Sequence, residues 1–387
     1  MVNFNFDTST RILFGKGKVS EMIAEIRGKG SRLLLAYGGG SVKRNGLLDE
    51  VVQLLKNNEI AYVELGGIQP NPRMSSVREG IRLCREHQLD FIMAVGGGSV
   101  IDCCKAIAAG FYHNGDAWDF MIKKATVNKA LPLGAILTLA ATGSEMNGNA
   151  VISNEETYEK RAMSSRLLRP VFSVLDPAYT FTVDKWHTAA GVTDIMSHIF
   201  EVYFTTDTGT LVQDEMAEGL LRVCVRCGPA TVDQPDNYEL RANLLWAGTL
   251  ALNGLLGAGK SPGDWASHAI EHEISAIYDV THGAGLAVVI PAWMDYVLEE
   301  NNARRFAGIA RNIWGIDDKQ DMAAAKKGIS ALRNFFSSIG MPVTLGELNI
   351  DQTHFEEMGR KACRFGPIGT TRKLNGEDVT AILNIAR

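Results

Sequence analysis

The first half of the chain alternates short, uninterrupted apolar runs with longer stretches whose apolar residues recur every three to four positions. SRLLLAY (31–37), AYVEL (61–65), FIMAV (91–95), LGAILT (133–138) and VFSVLD (171–176) are too short for helices and read as buried strands. Between them LLDEVVQLLKNN (47–58) and SVREGIRLCREHQ (76–88) carry helical spacing, and a further helix begins near Val100. Strands alternating with helices imply parallel β-α-β units with helices on both faces of one sheet. After Asp184 the texture changes. DKWHTAAGVTDIMSHIFEVYF (184–204), QDEMAEGLLRVCVRC (213–227) and YELRANLLWAGTLALNGLL (238–256) are helical in period, and no convincing strand separates them. The expected organisation is an α/β domain over 1–185, Rossmann-like, and an all-α domain over 186–387.

Length supports two domains, because 387 residues exceed the size at which one core usually stops growing. Charge removes some partners. Lys plus Arg is 39 against Asp plus Glu 44, a formal charge of -5, so there is no basic footprint for nucleic acid. No apolar run approaches a membrane span, and the start MVNFNFDTSTRILFG lacks the basic and apolar regions of a signal peptide. Six scattered cysteines read as reduced thiols, and the expected location is cytoplasmic. Cys224 and Cys227 form a lone C-x-x-C inside a helical stretch, with no second cysteine pair to complete a zinc knuckle.

Two glycine-rich turns follow strands, Gly38-Gly39-Gly40-Ser41 and Gly96-Gly97-Gly98-Ser99. A turn without Cβ atoms lets backbone N–H groups approach a phosphate, and a helix N-terminus favours its charge. The second turn is the better pyrophosphate cradle, since a helix begins at once. It is not the G-x-G-x-x-G fingerprint. In NAD-selective enzymes an acidic residue near the adenosine ribose repels a 2′-phosphate. No acidic residue stands after the first turn, whereas Lys43 and Arg44 do, so NADP is expected to be tolerated or preferred.

The second half holds a candidate metal centre. Asp194 and His198 are four apart in a helical stretch, as are His268 and His272, which stacks each pair on one face. His282 follows, so three of the eight histidines fall within 15 residues. One carboxylate and several imidazoles suit Fe²⁺ or Zn²⁺ better than Mg²⁺ or Ca²⁺. Spacing leaves open which of His268 and His272 is a ligand.

These residues carry a resemblance. RILFGKGKV (11–19), GGGSVIDCCKAIA (96–108), LTLAATGSEMN (137–147), SVLDPAYTFTV (173–183), AAGVTDIMSHIFE (189–201) and HAIEHEISAIYDVTHGAGLAVVIP (268–291) are similar to segments of the iron-containing (group III) alcohol dehydrogenases. Within that family the chain looks most like the NAD(P)H-dependent butanol dehydrogenases and broad-range aldehyde reductases. The resemblance implies a dehydroquinate synthase-like architecture with the active site between the domains. It assigns the metal to Asp194, His198, His268 and His282, leaving His272 as a substrate-side or proton-relay residue. It places the cofactor against Gly38, Gly39, Ser41, Gly97, Gly98, Ser99, Asp102, Thr138 and Thr142, with Lys160 near the nicotinamide ribose. Glu273-Ile274-Ser275 departs from the Leu-Gly pair common in the wider family, which leaves zinc or another divalent ion plausible beside iron.

The implied activity is interconversion of small aldehydes and primary alcohols, a divalent ion polarising the carbonyl during hydride transfer. The implied assembly is a homodimer, with TRILFG as an edge strand that needs covering. Three rivals share parts of the pattern: a metal-dependent hydrolase, a synthase or lyase on the same architecture, and a non-catalytic nucleotide sensor.

Overall fold

The computed structural model describes all residues 1–387 and resolves the chain into two compact units. One unit comprises Asp7–Val183 and Pro235–Asn253; the other comprises Met1–Phe6, Asp184–Gln234 and Gly254–Arg387. The segment 235–253, which periodicity groups with the helical half, therefore clusters with the sheet.

The sheet has six strands: β1 (Arg11–Phe14), β2 (Arg32–Gly38), β3 (Ala61–Ile68), β4 (Phe91–Gly96), β5 (Leu133–Leu137) and β8 (Phe172–Leu175). Their order is β1-β8-β5-β4-β2-β3, and every pairing is parallel. Each apolar run expected to be a strand is one. Alternation along the strands supplies both faces. Leu34, Ala36, Ile92 and Ala94 pack with Val77 and Ile81 of helix Met74–Glu86 and Ile101 and Ile107 of helix Gly98–Gly110. Leu33, Leu35, Met93 and Val95 face the other way, toward Val51 and Leu55 of helix Leu47–Asn57. A strand buried on both faces has no polar positions to spare, which is why these segments read as unbroken apolar runs.

One pair of strands escaped the sequence pattern: the antiparallel hairpin β6 (Asn149–Asn154) and β7 (Glu159–Ser164). NAVISN and EKRAMS carry too many polar residues for the period to stand out. Segment 235–253 provides helix Tyr238–Ala251. Its Leu245 is buried in the sheet-side core, and Trp246 meets Phe14 edge-on at 6.1 Å between ring centroids.

The helical unit contains Lys185–Tyr203, Leu211–Asp233, Ala266–Tyr278, His282–Val297, Ala303–Trp314, Asp321–Ser338, Phe355–Ala362 and Gly376–Ile385. None of the helices is long and apolar enough to cross a membrane. Helix Lys185–Tyr203 is buried along nearly its whole length. Helix His282–Val297 approaches it so closely that a Cβ on Gly283 would lie 2.0 Å from the Ala190 carbonyl oxygen. Only glycine permits that contact.

Candidate active site

In the sheet unit the two glycine turns stand side by side. β2 and β4 are adjacent and parallel, with Tyr37 opposite Val95, so Gly38-Gly39-Gly40 and Gly96-Gly97-Gly98 leave the same end of the sheet. β3 lies on one side of β2 and β4 on the other, so the strand order reverses here. A parallel α/β sheet binds nucleotides outside the carboxyl ends of its strands at such a point. Gly97 precedes helix Gly98–Gly110, whose N-terminus has no side-chain cap. Its first N–H groups are available to an anion.

Other residues expected at the cofactor gather around this turn. A Cβ on Gly98 would meet the Thr142 hydroxyl oxygen at 2.2 Å, so Thr142 rests on the turn itself. Thr138 follows β5 and donates its N–H to the Gly96 carbonyl at 3.1 Å. The Asp102 carboxylate accepts from the Ser144 hydroxyl and, at 2.9 Å, from the Val151 N–H. It therefore braces the turn from within the protein. Ser41 begins the short helix Ser41–Arg44, and Lys160 is buried on β7 opposite Ser153. Lys43 holds its ammonium 5.0 Å above the Tyr37 ring, while the Tyr37 hydroxyl donates to Glu64 at 2.7 Å. Burial and that carboxylate push the phenol up to about 12.

In the helical unit the candidate ligands converge from three helices. Asp194 and His198 project from Lys185–Tyr203, His268 and His272 from Ala266–Tyr278, and His282 opens His282–Val297. A ligand atom of each of Asp194, His268 and His282 lies within 4.8 Å of the others. The His198 ring sits 4.6 Å from the His268 ring, and its Nδ1 is 3.4 Å from Asp194 Oδ1. Glu271, His272 and His282 form a second group within the same limit.

Hydrogen bonds decide between the two groups. His198 Nδ1 lies 2.8 Å from the Asp194 carbonyl, His268 Nδ1 lies 2.7 Å from Glu201, and His282 Nδ1 contacts Glu271. Each ring thus uses one nitrogen on a protein acceptor and keeps Nε2 for another partner, the arrangement that orients metal-ligating imidazoles. Glu271 is committed to His282 and Ser275, which disfavours it as a ligand. His268 Nε2 is buried with no hydrogen-bond partner in the protein, and a buried nitrogen of that kind is costly unless something binds it. Burial, with help from His268 and His282, holds the His198 imidazole well below its usual range, keeping it neutral. A carboxylate and imidazoles oriented in this way fit a divalent transition metal.

Two carboxylates that build this centre were not singled out by spacing. Glu201 is three residues after His198; it accepts from the backbone N–H groups of Trp265 and His268 and from the Ser267 hydroxyl. It thereby caps helix Ala266–Tyr278 as well as orienting His268. Glu271, fully buried, is three residues after His268. The signal was present: each is an acidic residue on the same helix face as a candidate ligand. Trp265 enters the helix with φ of 59°, an uncommon value for a bulky residue, and its ring stands 5.3 Å from that of His268. Phe204 is buried among Tyr203, Trp293 and Phe306, a core position. The divergent Glu273 is buried and paired with Arg364.

Comparison with known proteins covers both halves of the chain. Residues 9–177 match the family described as iron-containing alcohol dehydrogenase, and residues 188–386 match the C-terminal part of that family. NADH-dependent butanol dehydrogenase A of Clostridium acetobutylicum is 49% identical over 385 residues, 99% of each chain. The NADPH-dependent aldehyde reductase YqhD of Escherichia coli is 41% identical, covering 93% of each. The crystal structure of NADH-dependent butanol dehydrogenase A from Thermotoga maritima superposes with a TM-score of 0.97 at 41% identity, over 100% of this chain and 99% of that one. The chain belongs to the iron-containing alcohol dehydrogenase family.

Proposed function

We propose that this protein is an NAD(P)-dependent alcohol dehydrogenase that interconverts small aliphatic aldehydes, butanal among them, with primary alcohols. The observation that carries the reading is the set of Asp194, His198, His268 and His282, each imidazole oriented through Nδ1 by a protein acceptor. These four residues would hold a divalent ion, which would supply a Lewis acid for the carbonyl oxygen, and the glycine turns would hold a nicotinamide dinucleotide, which would supply the hydride. Glu201 and Glu271 hold the rings in the tautomer that presents Nε2. His272, whose ring lies 5.7 Å from that of His282, delivers the proton to the nascent alcohol oxygen. The turns at 38–41 and 97–99, with Asp102, Thr138 and Thr142, receive the dinucleotide, and Lys160 approaches its ribose. Lys43 and Arg44 leave room for either NADH or NADPH, in keeping with relatives named for each.

The reading extends to Fe²⁺ or Zn²⁺ as the ion and to a cytoplasmic homodimer. All six cysteines are free, and β1 is an edge strand that would need a cover. The same proposal gives the dinucleotide to the sheet unit, expected over 1–185 and here joined by Pro235–Asn253, and the metal to the helical unit, expected over 186–387 and here joined by Met1–Phe6. The test follows absorbance of reduced nicotinamide with butanal and metal-stripped protein, before and after adding Fe²⁺ or Zn²⁺, with NADH and NADPH in turn. Metal-dependent oxidation of the cofactor is expected. No oxidation in any combination would return the chain to the hydrolase or synthase readings.

A further inference from the structure

Lys105 lies one turn beyond Asp102 on helix Gly98–Gly110 and is fully buried. A buried ammonium needs every proton matched. This one donates to the Ser144 hydroxyl at 2.8 Å, the Asn147 side-chain oxygen at 3.1 Å and the Asn149 carbonyl at 2.7 Å. All three acceptors belong to the segment that follows Thr142. The folding of that segment continues from them. Asn147 donates its amide to the Gly143 carbonyl at 2.8 Å and accepts the Asn149 N–H at 2.9 Å. Ser144 passes its own proton to Asp102. Charges face Lys105 from several elements: Asp102 on its own helix, Glu145 in the loop, and Arg169 before β8.

The consequence lies at the other end of the loop. Only the short 3-10 helix Ser144–Met146 gives this segment regular backbone hydrogen bonding before β6 begins at Asn149, yet Thr142 sits on Gly98 with no space for a Cβ. We infer that Lys105 is a positioning residue for the dinucleotide site: its ammonium gathers Ser144, Asn147 and Asn149 and so fixes Thr142 against the Gly97-Gly98 turn. The inference rests on the reading that this turn binds the cofactor. Lys105 itself touches no ligand; it shapes the cradle from behind.

The experiment measures NADH and NADPH binding by quenching of protein fluorescence, then steady-state kinetics with butanal, on full-length metal-loaded protein. In Lys105→Met the dissociation constant for the preferred cofactor and its KM are expected to rise at least tenfold. At saturating cofactor, kcat and the KM for butanal should stay within threefold of the parent. Ser144→Ala, a milder loss in the same network, should move cofactor affinity in the same direction and serves if Lys105→Met does not fold. A folded variant of either kind that binds cofactor as tightly as the parent overturns the inference, as does an equal loss in kcat and in the KM for butanal. Failure of the parent protein to bind either nucleotide would instead overturn the underlying assignment of the turn.

Discussion

Glu201 and Glu271 stand behind the candidate metal ligands, where the proposed centre would depend on side chains that do not themselves bind the ion. Each fixes one imidazole through Nδ1, and neutralising such a partner typically weakens metal affinity about 10- to 100-fold. Glu271→Gln and Glu201→Gln are therefore expected to lose metal on dialysis that the parent survives, measured as bound metal per chain. Unchanged metal content would remove both from the centre. His272 separates from the ligands by a different readout. His272→Ala should retain its metal while kcat falls and the alkaline or acidic limb of its pH profile changes. Lys105 adds a pH dependence of its own. Burial pushes its ammonium down to about 8, against the pull of Asp102 and Glu145. The cation is thus complete below that pH and lost above it, so the KM for the dinucleotide should rise as pH passes through about 8. In Lys105→Met that rise should vanish.

At the scale of elements, close approach replaces side-chain chemistry. Helices Lys185–Tyr203 and His282–Val297 carry candidate ligands and touch at Gly283. Gly283→Ala forces them apart, and overpacking of this kind costs about 1–3 kcal/mol. The expected result is a lower Tm together with weaker metal retention, since Asp194 and His282 move with their helices. Stability and metal content both unchanged would show that the contact is slack. Elements also explain what the chain made legible before its structure was seen. Four of the five expected strands stood out because a parallel strand buried on both faces must be apolar throughout, whereas β3, at the sheet edge and only partly buried, showed itself only by its short apolar run. The i, i+4 pairs Asp194–His198 and His268–His272 were visible because helical spacing puts them on one face. The hairpin of β6 and β7 was not visible, since buried polar residues (Ser153, Asn154 and Lys160) interrupt the apolar positions Ala150, Ile152 and Met163 that reach the core. Nor was the choice between His268 and His272, which share one helix and one period. What favours His268 is Glu201, whose contact with it spans 67 residues of chain. Lys105 was hidden for a similar reason: a lysine in a helical stretch reads as surface, and its acceptors lie 39 to 44 residues away.

For the whole molecule, a bound ion should act on stability as well as on chemistry. A ligand that binds only the folded chain stabilises it by about 2.7 kcal/mol at a hundred times its Kd. Chelation is therefore expected to lower Tm in a scanning calorimeter, and added Fe²⁺ or Zn²⁺ to restore it. Identical melting with and without metal would count against a centre built from three helices. The return of Pro235–Asn253 to the sheet carries a further consequence. Leu245 belongs to the core beside β5, and the Thr249 hydroxyl donates to the buried Glu145. The nascent chain must emerge well past the last strand before the first unit has its full complement of parts. A ribosome-bound fragment ending at Val183 thus carries an open wound in its core, and the protein cannot be halved there, as a modular gene fusion would require, without also supplying the helix of residues 235–253 from beyond the cut.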